Sequence, residues 1–298
     1  MIEGVIEPKR RDLGGFEVGR VLPSQVRRMV GPFIFFDHIG PVDIAPGVSR
    51  SMDVRPHPHI GLATVTYLLE GEITHRDSLG IEQAIRPGEV NWMTAGRGIT
   101  HSERFERLRR EGGRMHALQS WVALPTEAEE SEPGFVHYDT TSLPVAAADG
   151  ARLRLIAGDA YGERIDGPAL SPLFYVHCEL DSGGRVPLPN EHPERAAYVV
   201  SGEVEVGGDR YETGRMLVFA PHAPAVLVAR TPAVVMLLGG EPVGERFIEW
   251  NFVSSSRERI EQAKADWRAG RMKLPDLDNR EFIPLPGDPP TAAANPLS

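Results

Sequence analysis

The sequence predicts an all-β protein built from two copies of one barrel or sandwich fold, with a single helix near the C-terminus. Three observations carry this. Glycine and proline, 31 and 26 in 298 residues, are spread through the whole chain with short β-branched runs between them, the pattern of an all-β domain and not of alternating strands and helices. The length suits two cores of ordinary size better than one. One string also recurs: Tyr67-Leu-Leu-Glu-Gly71-Glu72-Ile73 returns as Tyr198-Val-Val-Ser-Gly202-Glu203-Val204, and a Gly turn follows each, Pro87-Gly88 in one half and Thr213-Gly214 in the other. Two copies of one β-fold explain the repeat most simply.

The elements follow in order. Strands are expected over Leu62–Leu69, Met115–Leu124, Ala151–Ala157, Leu173–Leu180, Ala196–Val200, Met216–Ala220 and Ala233–Leu238. Between them, Ser142–Gly150 contains Pro144, three alanines and Asp149-Gly150 and reads as the connection between halves. The expected domains are therefore residues 1–140 and 150–298. Glu127, Glu129, Glu130 and Glu132, after a Thr126 cap, read as one solvated helical turn. Near the end, Ser255 and Glu258 form a capping box, Ile260, Ala263 and Trp267 make an apolar stripe, and Gly270 stops the helix. The tail from Pro286 onward has no apolar pattern and is expected to be mobile.

Composition excludes several function classes. The 41% hydrophobic and 25% charged content is globular. A net charge of −10 argues against general affinity for nucleic acid, because phosphate neutralisation dominates such binding. No apolar run approaches the roughly 20 residues that span a bilayer, and Met1–Lys9 lacks the apolar stretch of a signal peptide. Cys178 is the single cysteine, so no intrachain disulfide can form, and a buried inert thiol in a cytoplasmic protein is expected. Arg104, Arg107, Arg109, Arg110 and Arg114, interleaved with glutamates, read as a solvated loop, the alternative being an anion-attracting rim.

The residues that carry chemistry fall in two strings, Arg55-Pro-His57-Pro-His59-Ile-Gly and Gly96-Arg-Gly98-Ile-Thr-His101-Ser-Glu103. In each, two ligand-type residues stand at i and i+2, so on a strand they project from one face. The odd positions beyond His59 pass Gly61 and reach Ala63, Val65, Tyr67 and Leu69, which places the histidines on the core face. Two such strands side by side would offer three imidazoles and one carboxylate to a point inside a barrel. That set suits a divalent first-row metal, and a site with open positions is the catalytic pattern, unlike closed, cysteine-rich structural zinc. The alternative for each pair alone is a hydrogen-bonded structural feature. Gly96 and Gly98 suit a backbone entering a crowded site.

These strings, with Tyr67-Leu-Leu-Glu-Gly71 and Trp92-Met-Thr-Ala-Gly-Arg-Gly-Ile-Thr-His101-Ser-Glu103, resemble the signature of the pirin family within the cupin superfamily. Val30–Asp37, His116–Val122 and the ending Trp250-Asn-Phe-Val-Ser are similar to pirin segments as well, so the resemblance covers about residues 10 to 285. It implies two cupin-type β-barrels, a bicupin, with one metal in the N-terminal barrel held by His57, His59, His101 and Glu103. Iron is the family's usual metal, with zinc, nickel, copper or manganese as alternatives. Several members resemble quercetin 2,3-dioxygenases, which implies a small aromatic, flavonol-like substrate; Glu103, as the only anionic ligand of the set, would then double as the base that takes the phenolic proton. Others bind and regulate partner proteins, so a redox-sensing regulator is the competing expectation.

The chain departs from the family at two places. Ala63 stands where pirins tend to keep a glutamate, and Ile60 where many have an arginine, implying a more apolar pocket wall. In the second half, the positions corresponding to His57 and His59 are Leu188 and Asn190, and His177, His192 and His222 read as ordinary core or surface residues. His75 and His116 are candidates to orient the metal ligands, a structural hydrogen bond being the alternative. Gln119 and Trp121 share a strand face and either line the cavity or pack in the core.

Overall fold

The computed structural model describes residues 1–12 and 17–288. Strands lie where the β-branched runs predict them. Leu62–Glu70, Gly113–Ala123, Ala151–Ala160, Leu173–Leu180, Glu194–Ser201, Met216–Phe219 and Ala233–Gly240 all form. The connecting segment contributes more than a link, because Val145–Ala148 pairs antiparallel with Ala151–Ala160 as an exposed edge. Part of the tail expected to be mobile lies outside the described residues.

The chain divides into two compact units. Among the described residues, one comprises 1–11, 18–38 and 138–243; the other comprises 12, 17, 39–137 and 244–288. In the first unit, a large sheet orders Ile2–Ile6, Met216–Phe219, Glu194–Ser201, Ala233–Gly240, Leu173–Leu180, Ala151–Ala160 and Val145–Ala148. A smaller sheet is built from Arg185–Pro187, Val226–Ala229, Glu203–Val206 and Asp209–Glu212. One apolar cluster fills the space, with Phe174, Val176, Cys178, Leu188, Val199, Leu217 and Leu237 among its members. Leu188, the counterpart of His57 in the other half, is thus part of an oily core. Asn190 accepts a hydrogen bond from Arg195 Nη1 at 3.0 Å. Burial pushes the Cys178 thiol well up, which makes it inert.

In the second unit, Val54–His59, Ile99–Arg104, Ile73–Asp77 and Glu82–Ile85 form one sheet in that order. Val90–Thr94, Leu62–Glu70 and Gly113–Ala123 pair in another. The two histidine-bearing strings therefore lie side by side in the first of these sheets. Between His59 and Leu62 the chain leaves one sheet for the other. Gly61 makes the corner at φ +67°, and a Cβ there would stand 2.0 Å from the Val253 carbonyl oxygen. The alternation expected to run from His57 through Leu69 is interrupted at this corner, so the parity of one strand does not carry into the next.

The C-terminal helix spans Arg257–Arg268 and belongs to this second unit. Its N-cap is Ser256, one residue later than the expected capping box: the Ser256 hydroxyl accepts the Arg259 N–H and bonds Glu258. Ile260, Ala263 and Trp267 are buried as the stripe predicts, against Phe252, Leu285 and Ile60. Ile60 is therefore covered by the helix and does not wall a ligand pocket. A side chain next to His59 on a strand points to the other face, and that face is the one the helix occupies.

Two readings of charged residues are corrected. Glu129 is buried: it pairs with Arg246 at 2.8 Å, and it accepts hydrogen bonds from the Ser254 hydroxyl and the Ser255 N–H. The turn around it is a short 3-10 segment, Thr126–Ala128. Arg104 is not part of a solvated loop either, being 2% exposed. Its guanidinium grips Asp278 at 2.6 and 2.7 Å, with Glu281 and Asp53 beside it. Arg109 also meets Asp53, while Arg107, Arg110 and Arg114 stay exposed among glutamates.

Candidate metal centre

The antiparallel register between Ile99–Arg104 and Val54–His59 sets His101 directly opposite His57, with Ile99 opposite His59. All three rings are buried. Their ring centroids are 4.4 Å apart for His57 and His101, 5.0 Å for His57 and His59, and 5.1 Å for His59 and His101. One ring nitrogen from each lies within 4.8 Å of the others. Glu103 is not in this mutual set. The ladder slips by one residue after His101, so that Glu103 stands opposite Val54, a bulge of the kind that re-aims side chains near sites. On its other flank Glu103 faces His75.

The hydrogen bonds around the rings decide where their lone pairs point. His57 Nδ1 lies 2.8 Å from the Arg55 carbonyl oxygen and His59 Nδ1 lies 3.0 Å from that of Asn251. A carbonyl only accepts, so each Nδ1 carries the proton and each Nε2 is left bare. His59 Nε2 is 3.1 Å from His101 Nε2, and His101 Nδ1 is 3.3 Å from His75 Nδ1. Two ring nitrogens at right angles, each about 2.1 Å from one ion, are separated by about 3 Å. The donor set thus fits a divalent metal.

Electrostatics keep the rings neutral, as ligation requires. Burial drives His57 down to about 4, the Arg55 carbonyl opposing it. Burial and neighbouring imidazoles hold His59 and His101 well below the ordinary histidine range. Burial alone pushes the half-buried Glu103 carboxyl up to about 7, where a nearby cation would bring it down.

Aromatic rings close two sides. Trp121 meets His59 edge-on at 5.1 Å, and Phe135 stacks on His75 at 4.6 Å. Gln119 instead accepts a hydrogen bond from the Thr66 hydroxyl. Of the two candidate orienting histidines, His75 reaches a member of the triad, whereas His116 sits 3.8 Å from Glu70. Ala63 is fully buried, paired with Thr94 and Val122. Gly96 and Gly98 are explained by close packing. Gly96, at φ +51°, would drive a Cβ to 2.1 Å from the Ser131 carbonyl, and Gly98, at φ +155°, lies against Met272.

Sequence reasoning did not single out the groups that hold this strand from outside. The Thr100 hydroxyl donates to the Lys273 carbonyl, and the Ser102 hydroxyl donates to Asp278 at 2.6 Å. With Arg104 on Asp278 as well, residues 100, 102 and 104 all grip the C-terminal segment while His101 between them joins the triad. Gly61 and the Asn251 carbonyl were also overlooked. The string Trp250-Asn-Phe-Val-Ser pointed to that segment, but not to its contact with His59.

Comparisons with known proteins agree with this architecture. The family model described as Pirin matches residues 15–122, and that described as the Pirin C-terminal cupin domain matches 175–273. A pirin-like protein of Caulobacter vibrioides is 62% identical over 287 residues, covering 96% of this chain and all of the relative. Two crystal structures of quercetin 2,3-dioxygenase from Acinetobacter baumannii superpose with TM-scores of 0.86 and 0.84, at 32% and 28% identity. They cover 97% and 92% of this chain, and 96% and 98% of theirs. Among the described residues, no helix is long and apolar enough to cross a membrane.

Proposed function

The chain belongs to the pirin family, and on that premise we propose that it is a metal-dependent dioxygenase acting on flavonol-like aromatic substrates. The observation that carries the reading is the triad itself: three buried, neutral imidazoles whose ring nitrogens converge, in a fold shared with quercetin 2,3-dioxygenases. His57, His59 and His101 would hold the ion, with Glu103 as the fourth donor. The ion is iron in this reading. When bound, it supplies a Lewis acid and one-electron chemistry with dioxygen.

The remaining work falls to side chains. Three neutral imidazoles and one carboxylate would leave the ion a net positive charge, to which a phenolate-type ligand is attracted. Glu103, standing beside the triad with Ala63 in place of a second carboxylate, is the group available to take the phenolic proton. Trp121 and Phe135 set aromatic faces and edges beside the rings, which suits a flat aromatic substrate. The buried surroundings keep bulk water from competing.

The experiment is dioxygen uptake by the iron-loaded protein against a flavonol panel. Uptake that depends on flavonol, with ring-opened product by mass spectrometry, is expected. No uptake across the panel would remove the oxygenase reading and favour the redox-sensing regulator, for which partner binding under ferrous and ferric conditions is then the property to follow.

A further inference from the structure

We propose that Asp77 and His75 are positioning residues for the metal centre: in series, they fix the tautomer of His101 so that its Nε2 presents a lone pair to the triad. The inference rests on reading the triad as a metal centre and extends that centre by two residues.

With His75 carrying a single ring proton, the chain of hydrogen bonds admits one consistent assignment. Asp77 Oδ1 accepts the backbone N–H groups of Leu79 at 2.9 Å and Ile81 at 3.1 Å. The turn therefore locks this carboxylate as an acceptor. Its Oδ2 lies 3.0 Å from His75 Nε2, so Nε2 carries the proton, because a carboxylate only accepts. On that premise His75 is bare at Nδ1, which lies 3.3 Å from His101 Nδ1. His101 must donate there, which leaves its Nε2 bare, 3.1 Å from His59 Nε2. That nitrogen is bare too, because His59 donates from Nδ1 to the Asn251 carbonyl. Two lone pairs that close repel each other, and a shared cation removes the repulsion.

For a singly protonated His75 the reverse assignment fails at its far end. If His101 were protonated at Nε2, its bare Nδ1 would need a proton from His75 Nδ1. His75 Nε2 would then be bare against the Asp77 carboxylate, an acceptor against an acceptor. Asp77 is 1% exposed, His75 5% and His101 2%, so water does not rescue the mismatch. Phe135, stacked on His75, holds the ring in the plane the relay needs. Partners of this kind typically alter metal affinity ~10–100-fold when removed.

The test compares full-length variants by zinc competition with a chromophoric chelator and by ¹⁵N NMR of the histidine rings in the zinc-free protein. Asp77→Asn is the sharpest change. Its Oδ1 stays on the Leu79 and Ile81 N–H groups, so its NH₂ meets His75 Nε2 and reverses every tautomer down the line. Zinc affinity is expected to fall ~10–100-fold, with the His101 ring proton moving from Nδ1 to Nε2. His75→Phe keeps the stacking volume but removes the acceptor and is expected to lose a similar factor. His75→Asn restores an oxygen near the Nδ1 position and is expected to recover most of the affinity. In the His75→Phe background, Asp77→Asn should have no further effect. If Asp77→Asn does not fold, the His75→Phe and His75→Asn pair carries the same contrast. Wild-type affinity in Asp77→Asn with the proton still on His101 Nδ1, or equal affinities for the two His75 variants, would overturn the relay. Absence of zinc binding by the wild type would instead overturn the metal-centre reading, while the ring spectra still report on the relay.

Discussion

Arg104 and Asp278 form a bidentate pair, Nε to Oδ2 at 2.6 Å and Nη2 to Oδ1 at 2.7 Å, just beyond His101 and Glu103 on the same strand. The guanidinium is almost fully buried, and Ser102 donates to the same carboxylate. The C-terminal segment thus holds from outside the strand that carries the triad's third histidine. Asp278→Ala removes the strongest partner of a buried charge, which typically costs on the order of 3 kcal/mol. Urea unfolding should show the loss, and Asp53 and Glu281 set its upper limit by sharing the charge.

Metal content is the simplest test of the centre. Purified protein should carry close to one equivalent per chain. His101→Ala should empty the site, whereas His192→Ala and His222→Ala should leave it filled, because neither belongs to the triad. Elemental analysis decides this, and loss of metal on changing His192 would contradict it.

Glu103→Gln separates holding the ion from accepting a proton. Three imidazoles and an amide oxygen remain to bind metal, so occupancy should stay high. Flavonol turnover should drop ~10²–10⁴-fold, the usual contribution of a general base. Turnover at the wild-type rate with metal retained would remove Glu103 from the chemistry.

Metal-free protein should lose stability on acidification. The triad's folded pKa values lie below 6.5, with His57 at about 4, so between these limits the unfolded chain binds more protons and stability rises with pH. Glu103, raised to about 7, works in the opposite sense, but one carboxyl stands against three imidazoles. The stability of the metal-free protein, read from urea unfolding, should therefore be lower at pH 5 than at pH 7, by an amount on the order of a few kcal/mol. Glu103→Gln should steepen the difference. A midpoint that holds or rises at pH 5 would show that these rings are not buried neutral.

Much of this protein is local in origin and could be read along the chain. Each strand's β-branched run, the i, i+2 spacing of His57 with His59 and the Ile260–Ala263–Trp267 stripe depend on periodicity within one element. Those features emerged as expected, because a strand or helix imposes its period wherever it lies. The repeat of the Tyr67 string at Tyr198 likewise reflects two barrels of one kind.

What only the tertiary structure decided is how separate elements meet. The slip that puts Glu103 opposite Val54 depends on pairing between strands some forty residues apart. Ile60 lies under a helix 200 residues later in the chain, and the tautomer of His101 depends on His75 and Asp77 in a neighbouring strand. Glu129 and Arg104 read as solvated because a charged residue usually is. Their burial rests on partners, Arg246 and Asp278, more than 100 positions away. Side-chain spacing is a property of one backbone segment, but register, corner position and the pairing of buried charges are properties of two. By itself the sequence determined which residues can be ligands, and the packing of distant segments decided which of their atoms converge.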